Sequence, residues 1–420
     1  MYDSLLIPAP ESQMRFLVLL ILTSLSSLTP ANADDWPQFL GPKRTGESAE
    51  TGLFSKWPAD GPGELWRTDC VGGLAGIVVV GDLAITMTQN GNEQAVAAFN
   101  VDTGKPAWRT AISAAYKNQM GNGPRATPTV HGKHVFAFAG DGVLAAIELS
   151  SGNLVWKTNV LRESGGPGAE YGMSSSPLIH EDLVIVTAGV PGATLVACDQ
   201  KTGKIKWSAG TDNAGYSSAI KTKILGNEQI VAFTAGSAAG YDPNSGKRIW
   251  DYPYKTDYEC NVATPLVFDD HILISSGENH GSVLLKAGTT GVSEVWKSFG
   301  RDSVLRAEWQ TPIRVGNYIY GMDNVGSAGQ VTHLTCIEAK TGKRVWQERR
   351  FGKGNLTLAD GKLWITTMKG ELVVVNATPD GFEELGRKKY LGKYRQAPAI
   401  SNGRLFFRDE KKMVCLKIAE

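Results

Sequence analysis

An eleven-residue phrase recurs along the chain: AFNVDTGKPAW ending at Trp108, AIELSSGNLVW at Trp156, ACDQKTGKIKW at Trp207, GYDPNSGKRIW at Trp250 and CIEAKTGKRVW at Trp346. KAGTTGVSEVW carries one additional residue before Trp296, an isolated ELW ends at Trp66, and VVNATPDGFEEL is a worn copy ending at Leu385. Neighbouring copies lie between 39 residues (Trp346 to Leu385) and 51 residues (Trp156 to Trp207) apart. A period of this length means a repeat architecture, in which each unit buries its apolar surface against its neighbours. It also accounts for a chain of 420 residues, which is too long for one ordinary core.

Residues 126–158 show the internal order of one period: ATPTVHG, HVFAFAG, VLAAIEL, a Ser-Ser-Gly turn, and NLVWKT. These are β-branched and aromatic runs cut by Gly, Asp and Asn, with no helical periodicity. The glycine suits a tight hairpin turn that asks for positive φ, where a side chain is costly. Eight first strands can be read: LAGIVVV, TPTVHG, SSPLIHE, SSAIKTK, ATPLVFD, TPIRVGN, LTLADGK and APAISNG. The last unit has three strands of its own, ending in MVCLKI, and an orphan strand, GELWRTD (63–69), precedes the first. The reading is an all-β, eight-bladed β-propeller of four-stranded antiparallel blades spanning 63–420, its ring closed by the N-terminal strand in the last blade. Closure of this kind hides sheet edges. Trp66, Trp108, Trp156, Trp207, Trp250, Trp296 and Trp346 then read as structural: each buries a large ring against the next blade and gives its N–H to a backbone carbonyl.

The flanks have other signatures. MRFLVLLILTSLSSLTPANA (14–33) has a basic start, an apolar run and a small-x-small end, so residues 1–33 read as a cleavable secretory signal, with Met14 as an alternative start. The apolar run is shorter than a membrane span requires. No cysteine stands at the cleavage point for lipid attachment, and residues 34–62 read as an extended leader. The expected location is periplasmic or secreted, with no transmembrane segment once the signal is removed. Cys70, Cys198, Cys260, Cys336 and Cys415 form no metal or haem spacing. Cys198, Cys336 and Cys415 read as buried strand residues, and a Cys70–Cys260 disulfide stays open.

Ala197, Asp199, Thr202, Gly203 and Trp207 match the phrase AxDxxTGxxxW. This resembles the repeat of the PQQ-like β-propeller family, and the resemblance runs from about Leu65 to Ile418. The leader DWPQFLGPKRTG is similar to that of secreted planctomycete-type members. The resemblance implies one of two functions. One is a non-catalytic binding or scaffold module of the cell envelope, BamB-like, for a protein, peptide or glycan partner, with no cofactor. The other is a PQQ-dependent oxidoreductase of alcohol or sugar dehydrogenase type, holding pyrroloquinoline quinone and Ca2+ on the axis. The vicinal Cys-Cys pair of alcohol-oxidising members and the CxxCH of haem-bearing ones are both missing. The first function is therefore expected, in a monomer.

A rigid propeller carries function on the connections that face its axis. Counting three residues back from the prolines that open first strands selects Arg125, Ser174, Val262, Trp309 and Arg395, with Tyr216 in the blade that lacks the proline. Glu170, Tyr171, Asp257, Tyr258, Glu259, Asn261, Arg306, Glu308 and Gln396 flank them. Arg125, Tyr216, Asn261, Glu308, Trp309 and Arg395 are the candidate funnel residues, since Arg offers a planar fork and Trp or Tyr a flat face. A mutually paired polar rim is the other reading, and no metal ligand set is assigned. GPGAEYGMSSSP has no following helix start to make a phosphate cradle, and no GxSxG is present. A formal net charge of +1 is not a nucleic-acid footprint.

Overall fold

A computed structural model describes Met1 and residues 35–277, 280–325, 331–393 and 396–420. The segment read above as a secretory signal lies, after Met1, outside the described residues, and Ala33–Glu420 form one compact unit.

Eight four-stranded antiparallel sheets succeed one another along the chain. Blade 1 comprises the strands Val78–Val80, Leu83–Asn90, Glu93–Asn100 and Pro106–Ala114. Blades 2 to 7 occupy 129–159, 178–209, 220–253, 266–299, 313–348 and 354–389 with the same strand order. Among the described residues, helix is confined to Val160–Ser164 and the 3-10 turn Gly300–Asp302. The middle strands are buried on both faces, as Leu183–Val190 shows, because each blade is sandwiched between two others. A near-continuous apolar run is the sequence form of such a strand. The outer strands alternate exposed and half-buried residues, since one of their edges meets solvent. Blade 8 joins Ala399–Ser401, Arg404–Arg408 and Lys412–Lys417 to the N-terminal strand Glu64–Asp69, with Trp66 opposite Cys415 and Asp69 opposite Lys412. The ring is closed as expected.

The recurring phrase acquires a physical reason at each letter. The Asp199 carboxylate accepts from the amides of Lys201 (3.0 Å) and Thr202 (2.9 Å) and from the Thr202 hydroxyl (2.9 Å), which pins the hairpin. Asp242 and Asn100 do the same in blades 4 and 1. Gly203 has φ +72°, and a Cβ there would stand 2.5 Å from the Trp156 ring of the preceding blade. Trp66 covers Gly104, Trp108 covers Gly152, Trp207 covers Gly246 and Trp296 covers Gly342 in the same way. The indole N–H groups of Trp66, Trp108, Trp156, Trp296 and Trp346 donate to the carbonyls of Val101, Leu149, Gln200, Ala339 and Thr378 at 2.8–3.0 Å.

Two tryptophans depart from this. The buried Trp207 N–H has no partner among the described residues. Trp250 folds over Gly240 of its own blade and donates to Gln229 Oε1 at 2.8 Å, instead of to a carbonyl of the next blade. The reason lies in blade 5, whose hairpin is the irregular KAGTTGV and turns at Gly288–Gly291.

Blade 7 has glycine in the tryptophan position: Gly386 faces Val374 as Trp346 faces Cys336. The Trp57 indole of the leader lies on it, so close that a Cβ at Gly386 would overlap the ring. Phe54 is edge-on to both Trp57 and Trp364. The leader is thus folded rather than simply extended. Trp36 exchanges hydrogen bonds with Val79 (2.7 and 2.9 Å), Pro37 accepts from Val130 (2.8 Å), Gly46 accepts from Leu358 (2.8 Å), and Glu50 accepts from Gly403 (2.7 Å). Residues 36–50 therefore plug one end of the axial channel, at the finishing ends of the inner strands. Inner-strand groups that would face an open channel find backbone partners there.

Candidate functional site: the axial funnel

Above the plug, at the starting ends of the inner strands, a cavity of about 430 Å³ opens on the axis. Its floor is Phe39 and Leu40 of the leader; its wall holds Leu74, Met120, Arg125, Tyr171, Tyr216, Tyr258, Cys260, Val262, Glu308, Trp309, Leu356 and Gln396. The connections from each fourth strand to the next first strand supply most of this wall.

A belt of hydroxyls holds these connections in register. The Gly76 amide donates to Thr127 Oγ1 (3.0 Å), Thr127 to Ser176 Oγ (3.0 Å), Ser176 to Ser218 Oγ (2.9 Å), and Thr264 to Thr311 Oγ1 (3.0 Å). Each bond runs from one blade to the next, so the ring is tied at the level of the cavity. Sequence reasoning did not single these residues out. Their signal was the Ser or Thr immediately before the Pro or Ala that opens an inner strand.

Four of the six candidate residues line the cavity: Arg125, Tyr216, Glu308 and Trp309. Arg125 donates to the carbonyls of Gly123 (2.5 Å) and Gly121 (2.6 Å) and lies 4.9 Å from the Tyr116 ring centre. Tyr216 stacks on Tyr171 with ring centres 5.7 Å apart, and its hydroxyl accepts from the Tyr171 amide at 3.2 Å. Burial pushes the Tyr216 phenol far above its usual range, so it stays protonated. Lys353 Nζ sits 2.6 Å from Glu308 Oε2 and 4.2 Å from the Trp309 ring centre, a carboxylate–ammonium–indole cluster. Tyr258 is 60% exposed and stands at the mouth.

Asn261 does not line the cavity. It is fully buried and donates to the Thr234 carbonyl at 2.7 Å, because the hairpin of blade 4 leaves that acceptor without a backbone donor in the ladder. Arg306, a flanking residue, is also buried, in a two-pronged ion pair with Asp323 (2.7 and 2.8 Å). Arg395 lies outside the described residues. Cys260 is in the wall while Cys70 is buried elsewhere, and all five cysteines are thiols. Burial pushes Cys198 and Cys415 up to about 12 and Cys336 to about 11.

A family model described as outer membrane protein assembly factor BamB matches residues 53–169, 92–348 and 330–418. The BamB of Yersinia pestis is 21% identical over 321 residues, 75% of this chain and 67% of its own length. A 1-butanol dehydrogenase (quinone) of Thauera butanivorans is 26% identical over 193 residues, 42% of this chain. The match spans only 30% of that dehydrogenase. The crystal structure of BamB from Moraxella catarrhalis superposes with a TM-score of 0.64 at 13% identity, covering 85% of this chain and 99% of that one. At that identity the likeness shows the fold alone.

Proposed function

Because this chain belongs to the family described as outer membrane protein assembly factor BamB, we propose that it is a non-catalytic binding or scaffold module of the cell envelope. The axial funnel holds part of a protein, peptide or glycan partner. The observation that carries this reading is the chemistry of the funnel wall. It offers the Tyr171–Tyr216 stack, Tyr258 and Trp309 as flat faces, whereas Glu308, the one carboxylate among the described lining residues, is already engaged by Lys353. Such a wall has surfaces for contact and no carboxylate at liberty to act as a base. The relatives named as assembly factors support the same reading, and among the described residues no helix is long and apolar enough to cross a membrane.

The second reading, a quinone-dependent dehydrogenase, draws on the likeness to the 1-butanol dehydrogenase. The donor set speaks against it. Calcium takes about six to eight oxygen ligands, and a cation in the funnel would compete with Lys353 for Glu308. No group of three or more His, Cys, Asp or Glu that could hold a metal occurs among the described residues.

One experiment separates the two. Purified protein is titrated with pyrroloquinoline quinone and Ca2+, following absorbance and dye reduction with alcohols and sugars. In parallel, immobilised wild type and W309A are challenged with envelope extract. The expected result is no turnover, with a partner retained by wild type and lost about ten-fold in W309A. Saturable quinone binding with turnover overturns the proposal in favour of the dehydrogenase.

A further inference from the structure

The channel has a second mouth, on the other side of the leader plug from the funnel. A cavity of about 370 Å³ lies there, between the leader and the inner strands of blades 2, 3 and 4. Its cationic groups come from separate segments: Lys43 and Arg44 from the leader and Lys221 from the first strand of blade 4, while the His131 ring from the first turn of blade 2 also lines it. Glu181 is the one carboxylate among the described lining residues.

Arg44 sets the character of this cavity. It is 4% exposed, and its N–H groups go to Gln38 Oε1 (2.9 Å) and to the carbonyls of Ala219 (2.6 Å), Ser176 (3.2 Å) and Pro177. All are neutral acceptors, and they take four of the five donors that a guanidinium carries. Burial lowers its pKa to about 9, and no carboxylate offsets that effect. Arg44 is thus a buried cation without a counter-charge at the edge of this space, and the exposed ammonium groups of Lys43 and Lys221 add to the positive potential there. Burial pushes the neighbouring Glu47 carboxyl up, while Lys43 and Arg314 favour its anion, so Glu47 shares Lys43 with this cavity.

We propose that this mouth is an oxyanion site that takes a phosphoryl group, either as inorganic phosphate or as the phosphate monoester of a lipid headgroup. The cations approach from the leader on one side and from blade 4 on the other. Approach from two sides suits a tetrahedral group of near-double charge better than a planar carboxylate, which one guanidinium fork satisfies. The neutral carbonyls hold Arg44 in place before any ligand arrives, so little ordering is left for binding to impose.

Isothermal titration of the purified protein with inorganic phosphate at low ionic strength tests the site. The expected result is saturable binding that weakens with added salt and falls about ten-fold in K43Q/K221Q. Both lysines are exposed, so that variant keeps the fold. W309A, on the far side of the plug, leaves phosphate binding unchanged. Flotation with phosphatidic acid vesicles, against phosphatidylcholine vesicles, distinguishes the sources: flotation names the lipid, and phosphate binding without flotation names the free ion. Absence of both, or equal binding by wild type and K43Q/K221Q, overturns the proposal.

Discussion

Asp242 illustrates how much one polar side chain does in each hairpin. The Ser245 hydroxyl, then the Ser245 amide, hold its carboxyl below the usual carboxylate range, and the donors lie at 2.7 and 2.8 Å. A carboxyl depressed in the folded state adds stability above its unfolded pKa, and that contribution is lost as pH falls through the folded value. Asp242→Ala is expected to cost about 1 kcal/mol at neutral pH. The gap from wild type should shrink as the pH is taken below about 4, read from urea midpoints at several pH values. Asp242→Asn should keep most of the stability at all pH values, because Asn100 makes the same three hydrogen bonds in blade 1. The motif letter was legible in the sequence for this reason: its bonds reach only two or three residues ahead. Asn261 was not legible in the same way, because its acceptor, Thr234, is 27 residues back and no local pattern records it.

Between elements, the informative contact is Trp57 on Gly386. Apart from blade 4, whose Trp250 turns back over Gly240, each other blade ends in a fourth strand whose own tryptophan covers the hairpin or donates to a carbonyl of the neighbouring blade. Blade 7 adjoins the closing blade, where the third strand leads to the C-terminus and the fourth comes from the N-terminus, so no hairpin glycine is there to receive an indole. The leader fills the position instead, anchored by the Phe54 amide on the Ile418 carbonyl at 3.0 Å. Trp57→Ala is expected to destabilise the protein by about 3 kcal/mol through lost packing. Gly386→Ala should destabilise it by about 1–3 kcal/mol by overpacking against the indole. The double variant W57A/G386W returns the ring to the fourth strand and should recover part of the first loss. Denaturant midpoints of wild type, W57A, G386W and W57A/G386W form the cycle, and additive losses without recovery would mean that the two sites are independent.

For the whole molecule, closure is the decisive contact. The strand Glu64–Asp69 completes blade 8, and a leader reaching the inner strands of several blades reinforces it. Proline at Thr68 removes a ladder donor opposite Met413, with an expected cost of about 3 kcal/mol. Because the ring is continuous, the loss should appear in calorimetry as one transition shifted downward, not as a separate early melting of blade 8. Two resolved transitions would show that the blades unfold as independent units.

The count of blades, the strand order and the N-terminal closing strand were all determined by the sequence alone, because each arises from a short-range pattern repeated many times. Counting back from the strand-opening prolines also placed Arg125, Tyr216 and Trp309 on the funnel wall, since equivalent connections meet at equivalent places on a symmetric ring. Only the tertiary structure decided what happens where the symmetry breaks. The leader has no repeat to compare it with, so its role as the floor of the funnel and the ceiling of the cationic mouth came from contacts such as Arg44 to Ala219, 175 residues apart. The Lys353 that engages Glu308 likewise comes from a different connection, and a sequence pattern of one blade does not contain its neighbour.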